Sequence, residues 1–434
     1  MNSKRQWFAG LSIAALLLAA CGGDDDTATE STTDAPSDTA TAATTAETAA
    51  SGSTATVTGT KIQVMIASSG PTETAAVEAA VKGWETESGN TVELIAADDI
   101  NLQLGQALAG GEPPDVFYVN ADKFQDYASG GSLAAIGSKL DEPDDFYEPL
   151  RTVFTYEDEL YCAPKDYSSL GLIINNKSWE AAGLTDADIP TNWEELQAVA
   201  TTLTTDTQVG LASGATRDRL GAFMVGAGGY FVDDAQTTVT ADSPENLVAL
   251  EYIQSLLDSG SFEYADNLDV GWGGEAFGKE KAAMVIEGNW IRGAMKNDFP
   301  TVEYTVAEIP AGPAGPGSMV FTQCWGVAAA SENIDAAASF VNFMTKVETQ
   351  LSLADAFGVM PSRASAKDQY IAAHPDDAPF VAAGEYGRGQ VTLPAFSAVL
   401  TEFDKGLLAL ADGSIDPQTL LTETQTNGED ALGG

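Results

Sequence analysis

Three tryptophans lie in glycine-flanked or loop-like settings: Trp272 in VGWGG, Trp290 in EGNWIRG and Trp325 in QCWGV. A glycine neighbour leaves part of an indole face uncovered, and such a face is a stacking surface for a flat apolar partner. Residues that make and break bonds are scarce by contrast. The single histidine, His374, lies in the loop-like stretch AAHPDDAP. No Cys/His cluster has zinc spacing, and neither a G-x-S-x-G elbow nor a G-x-x-x-x-G-K-[ST] phosphate loop occurs. Gly271, Gly273 and Ala276 match G-x-G-x-x-A, but Trp272 and Glu275 fill the gaps and no buried strand leads in, so the match is too weak to carry a nucleotide site. No catalytic residue, metal ligand or cofactor is expected. Two carboxylates about 5 to 9 Å apart across a glycosidic bond would make a surface-anchored glycoside-active enzyme, and the many acids leave that lesser reading open.

Of the 64 acidic and 20 basic residues, seven and two precede residue 61, leaving 57 against 18 and a net charge of -39 on the rest. That balance repels phosphate backbones and anionic headgroups, so nucleic acid is not an expected partner.

The N-terminus has its own chemistry. Lys4 and Arg5 precede an uncharged, largely apolar run from Trp7 to Ala20, the layout of a secretory leader and too short to span a bilayer comfortably. Leu18-Ala19-Ala20-Cys21 resembles a bacterial lipobox, which implies a signal peptide over 1–20 and acylation of Cys21. Residues 22 to 60 are mostly Thr, Ala, Ser, Asp and Gly with no aromatic residue, a composition that cannot bury enough surface to fold. With Cys21, residues 21–60 read as a lipidated, disordered acidic tether whose 39-residue coil reaches roughly 35 Å. Cys162 and Cys324 remain, either as a disulfide or as two buried thiols.

The body alternates strands and helices. KIQVMIA alternates Ile62, Val64 and Ile66 as a strand does; Val77, Ala80, Val81 and Trp84 fall at helical spacing; TVELIA (91–96) and DVFYV (115–119) are further strands around a helix over 102–109. LGLIIN (170–175) is a strand, TNWEELQAVATTL a helix with Thr191 and Glu194 as its capping box, and Ser243-Pro244 starts another. KAAMVIEG and VEYTVAEI read as strands and AAASFVNFM as a helix. This alternation predicts α/β architecture with parallel-dominated sheets flanked by helices, and 374 residues predict two domains. Trp84 and Trp193 sit on helical stripes or starts and Trp179 follows a turn, so all three read as structural.

Four stretches in order carry a resemblance: PPDVFYVNADKFQDYASGGSL (113–133), LYCAPKDYSSLGLIINNKSWEAAGL (160–184), FGKEKAAMVIEGNW (277–290), and IPAGPAGP with the later FVNFMTK and GVMPSR. They are similar to the family 1 extracellular solute-binding proteins, the maltose-binding-like subunits of ABC importers. The resemblance implies a two-lobe periplasmic-binding-protein-like fold of type II with the ligand cleft between lobes. Lobe one is expected over 61–165 plus 326–370 and lobe two over 170–325 plus 371–434, with crossings near Pro164, Trp325 and Ile371. Cys162 and Cys324 then both fall at crossing strands, which supports pairing them.

The same resemblance implies a monomeric carbohydrate receptor on the extracytoplasmic face of the membrane. Its partners are a di- or oligosaccharide, an ABC permease, and the bilayer reached through Cys21. A glycerol phosphodiester or a polyamine is the alternative ligand. Trp290 matches the family's stacking tryptophan and Tyr118 another plate, while Asp122 and Lys123 match a pair that grips hydroxyls. Tyr167 and Ser168 lie just past the first crossing, where the family's reference member has an acid near Ser168; that departure shifts the expected hydroxyl pattern. Trp272, Trp325, Asp218, Tyr386 and Arg388 complete the expected ligand set.

Overall fold

The computed structural model describes residues 58–67 and 70–433. The expected leader, the acylation site at Cys21 and most of the tether lie outside the described residues. Among those described, no helix is long and apolar enough to cross a membrane.

One sheet runs through the molecule. Its strands lie in the order Thr91–Ala97, Lys61–Ala67, Val116–Asn120, Met319–Val327, Ala163–Asn175, Ala282–Gly288, Val209–Ser213 and Phe262–Tyr264. The outer portions are parallel, as alternation with helices requires. The centre is not: Met319–Val327 runs antiparallel to both of its long neighbours, and Ala163–Asn175 runs antiparallel to Ala282–Gly288. The strand expected over 170–175 is longer than its sequence pattern suggested, with 13 residues from Ala163 to Asn175. Its first half pairs with Met319–Val327 and its second half with Ala282–Gly288, so a single strand belongs to the sheets of both lobes.

Two separate cores flank this centre. One gathers Ile62, Val64, Trp84, Phe117, Phe124, Phe340 and Val341 with Cys162, Cys324 and Trp325. The other gathers Leu172, Ile174, Leu196, Leu211, Phe223, Leu250, Met284, Phe403 and Leu421. A third cluster at the junction joins Tyr147, Tyr167, Val285, Ile291, Val320, Met360, Tyr370 and Phe380. Cys162 and Cys324 form a disulfide with Cα atoms 5.5 Å apart. It stands where Cys324 lies in register with Pro164 on one side and Val119 on the other.

Helix starts follow their caps. Asp99 accepts from the Leu102 amide at 3.0 Å, and Ser243 from that of Asn246 at 3.2 Å. The expected capping box at Thr191 and Glu194 is shifted by one residue. Asn192 is the cap of the helix Trp193–Leu203, its Oδ1 accepting from the Glu195 amide at 3.0 Å, while Glu195 reaches back to accept from the amide and hydroxyl of Thr191, both at 2.8 Å. Asn is as good a cap as Thr, and the chosen register lets Trp193 stack on Tyr252, 4.4 Å between ring centres. Asn192→Ala should therefore lower unfolding stability by about 1 kcal/mol, read as a shifted denaturation midpoint with an unchanged slope.

Candidate functional site between the lobes

A cavity of about 710 Å³ opens where the carboxyl ends of Lys61–Ala67 and Val116–Asn120 meet the two central strands. The carboxyl ends of parallel strands are the usual place for a ligand crevice in open α/β sheets. One wall comes from the first core's side: Glu73, Asn120, Asp122 and Lys165. The opposite wall comes from the second: Arg217, Asp218, Tyr230, Phe231, Gln390 and Leu400. Asp166, Ser168, Phe321, Thr322 and Gln323 on the central strands form the seam between them.

The polar groups are already organised. Lys165, only 6 % exposed in its side chain, is ion-paired with Asp166 and stands 3.4 Å from Glu73. Tyr118 donates its hydroxyl to Glu73 at 3.3 Å, and the Lys165 ammonium lies 4.7 Å from the centre of the Tyr118 ring. Burial alone would push the Lys165 ammonium down; Asp166 and Glu73 together outweigh it and hold it above its ordinary value. Burial raises the Asp166 carboxyl above the usual carboxylate range, against the pull of Lys165. Gln323 donates to Asn120 at 2.5 Å, and Asn120 in turn to Asn101 at 3.2 Å. Arg217 is ion-paired with Asp404. Asp218 has only a 3.4 Å contact from Gln390, and Asp122 lies 3.7 Å from Lys123. The wall thus combines fixed donors and acceptors with the rings of Tyr230, Phe321 and Phe357, and among the described residues it holds no nucleophile paired with a base.

Of the residues expected from sequence, Asp122, Ser168 and Asp218 line this cavity, with Lys123 beside it. Trp290 packs edge-on against the lining residue Phe321, ring centres 5.4 Å apart, and is 36 % exposed. Tyr118 stands behind the wall, buried, with its hydroxyl reaching Glu73. Tyr167 is buried at the junction and donates to the Val381 carbonyl at 3.1 Å; burial pushes its phenol well above the ordinary value. Trp325 is buried between Tyr118 and Phe340, with ring centres 4.6 and 5.6 Å away, and has no face on the cavity. Trp272 is half-buried and folded over Gly274. Tyr386 donates to Glu308 at 2.8 Å, and Arg388 is ion-paired with Asp234; both line a separate cavity of about 380 Å³. Glu73, Lys165, Asp166, Arg217, Phe321 and Gln323 were not foreseen. The readable signal was Lys165-Asp166, two charges just inside an otherwise buried strand beside the expected crossing at Pro164.

The model of the bacterial extracellular solute-binding protein family matches residues 68–351. The maltooligosaccharide ABC transporter solute-binding lipoprotein of Streptococcus pneumoniae is 25% identical over 331 residues, covering 71% of this chain and 77% of that protein. The diacetylchitobiose binding protein of Streptomyces coelicolor is 25% identical over 373 residues, covering 83% of this chain and 82% of the relative. Among solved structures, the cyclic alpha-maltosyl-1,6-maltose binding protein of Arthrobacter globiformis superposes with a TM-score of 0.78 at 20% identity, over 86% of this chain and 99% of its own. A cyclo/maltodextrin-binding protein complexed with maltotetraose gives 0.76 at 17% identity, over 87% and 98%. The family match takes in the cavity lining from Glu73 to Gln323, and the chain belongs to the bacterial extracellular solute-binding proteins, which serve transport rather than catalysis.

Proposed function

We propose that this chain is the capture subunit of a carbohydrate ABC importer, held at the extracytoplasmic face of the membrane through acylated Cys21, and that it closes on a di- or oligosaccharide and delivers it to a permease. The observation that carries this reading is the cavity walled from both lobes, in which hydrogen-bonding groups alternate with aromatic rings. A sugar presents apolar C–H faces and an edge of hydroxyls, and those two surfaces need the two kinds of lining. The volume of about 710 Å³ falls within the range of about 300 to 1,000 Å³ common for small-molecule sites.

The energetics are sufficient. A sugar face on an aromatic ring removes roughly 100 Å² of apolar surface from water, about 2.5 kcal/mol at 25 cal/mol per Å². Two such contacts with a few hydrogen bonds reach the roughly 8 kcal/mol of micromolar binding. Asp122 and Asp218 are placed to accept from hydroxyls, Arg217 and Lys165 to donate. Closure requires only rotation about the two central strands, which both lobes share. In this reading lobe one spans 61–165 plus 326–370 and lobe two 170–325 plus 371–434.

Isothermal titration with maltose to maltotetraose, diacetylchitobiose, a glycerol phosphodiester and putrescine tests the assignment. Micromolar heat is expected from a sugar and none from the phosphodiester. Heat from putrescine alone would replace the carbohydrate reading. Acylation is tested by the mass of the N-terminal peptide from the membrane fraction, with Cys21→Ala expected to release the protein.

A further inference from the structure

The turn that carries Trp290 is more elaborately fixed than packing alone requires. Glu287 is the penultimate residue of the strand Ala282–Gly288 and is 1 % exposed. One of its oxygens, Oε2, accepts from Trp290 Nε1 at 3.0 Å and from Arg219 Nε at 3.0 Å, with Arg219 Nη2 also at 3.0 Å. The Arg219 guanidinium in turn lies over the Trp290 ring, 4.7 Å from its centre. One buried carboxylate thus holds an indole and a cation as a unit beside Phe321 of the cavity lining, with hydrogen bonds of the charge-assisted kind.

The neighbouring residues serve the same arrangement. A Cβ at Gly288 would fall 2.2 Å from Cη2 and Cζ3 of Trp290, so only glycine lets the indole fold back to within reach of Glu287. A Cβ at Gly273 would fall 2.9 Å from Glu287 Oε1, which accounts for that glycine in the GWGG stretch without any nucleotide. Asn289 ties the turn down: its Oδ1 accepts from the Ser169 amide on the central strand at 3.3 Å, and its Nδ2 donates to the Gly358 carbonyl at 3.1 Å.

We propose that Glu287 is the positioning residue of the sugar-stacking plate: it sets the angle of Trp290 and carries Arg219 on that ring, without itself touching ligand. The inference rests on the reading of Trp290 as a plate for carbohydrate.

A double-mutant cycle read by calorimetry with maltotetraose and diacetylchitobiose tests it. Trp290→Ala is expected to weaken the better of the two sugars about 30-fold, somewhat less than the loss of one full stacking contact. Glu287→Met, of similar length but without an acceptor, is expected to weaken it about 10-fold and to shift the indole emission. The double variant is expected to match Trp290→Ala alone. Glu287→Gln keeps an acceptor oxygen and is expected to return affinity to within about 3-fold of the parent. Losses that multiply to about 300-fold in the double variant, or a Glu287→Met affinity equal to the parent's, would overturn the positioning role. If Glu287→Met does not fold, the cycle is run with Glu287→Gln, whose smaller loss must vanish in the Trp290→Ala background. A Trp290→Ala affinity equal to the parent's removes the plate and this proposal with it. Silence of the parent toward both sugars in this experiment overturns the proposal too, and the wider sugar panel then decides the carbohydrate reading separately.

Discussion

Removing the disulfide with Cys162→Ala and Cys324→Ala together should cost about 5 kcal/mol of stability and leave ligand affinity within about 2-fold of the parent. The bond spans a sequence separation of 162 residues, and a loop of that length loses about 5 kcal/mol of unfolded-state entropy when closed in the chain-entropy treatment. Both sulfurs belong to the first core, and the cavity's lining does not include them. Denaturant titration of the double variant beside calorimetry of its ligand reads both quantities. A stability loss below about 1 kcal/mol would show that the reduced chain keeps the two strands together in the unfolded ensemble. The bridge joins Cys162, just before the strand Ala163–Asn175, to Cys324 within Met319–Val327, inside one core, so under the proposed closure it is expected to leave rotation between the lobes free.

Lys165→Met should destabilise the protein by about 3 to 5 kcal/mol at neutral pH, the usual cost of taking one member from a buried ion pair. Asp166 then loses its cation beside the Glu73 carboxylate, and burial and like charge both raise its pKa in the folded state. A carboxyl with a folded pKa above the unfolded one binds more protons when folded. Its contribution to stability is present at low pH and is lost as pH rises through the folded value. The variant should therefore recover stability as pH falls toward about 5, while the parent changes less because Lys165 opposes the shift in Asp166. Thermal midpoints from pH 5 to 8 provide the check. A Lys165→Met variant that loses the same stability at every pH would mean the lysine contributes packing rather than charge.

The elements were largely readable because their signals are local. Alternation at Ile62, Val64 and Ile66 specifies a strand, Ser243-Pro244 a helix start, and the structure has both. The antiparallel centre was not readable: Ala163–Asn175 is buried on both faces and crosses from one lobe to the other, so its first half carries no alternation to reveal it. The tryptophans show a second limit. Glycine beside Trp325 serves close packing, since a Cβ at Gly326 would meet Leu133 and Val119 at 2.8 Å, whereas the glycine before Trp290 serves the fold-back of an indole that stays partly exposed. A glycine near a tryptophan thus has two physical causes, and only the direction the chain faces separates them. The charges of the cavity wall were hidden for a related reason. Lys165 and Asp166 are neighbours, but Glu73 lies 92 residues away from Lys165 and meets them only because a helix start and a central strand converge.

Above all, the two lobes are expected to close around a carbohydrate between them. Small-angle scattering of the purified protein, titrated with maltose to maltotetraose and diacetylchitobiose, tests it most directly. A contraction is predicted that saturates at one sugar per chain, in step with the calorimetric heat, and that is weakened by Asp218→Ala. Scattering that stays unchanged through saturating heat would show binding without closure, and an unchanged profile with no heat from any sugar would contradict the claim outright.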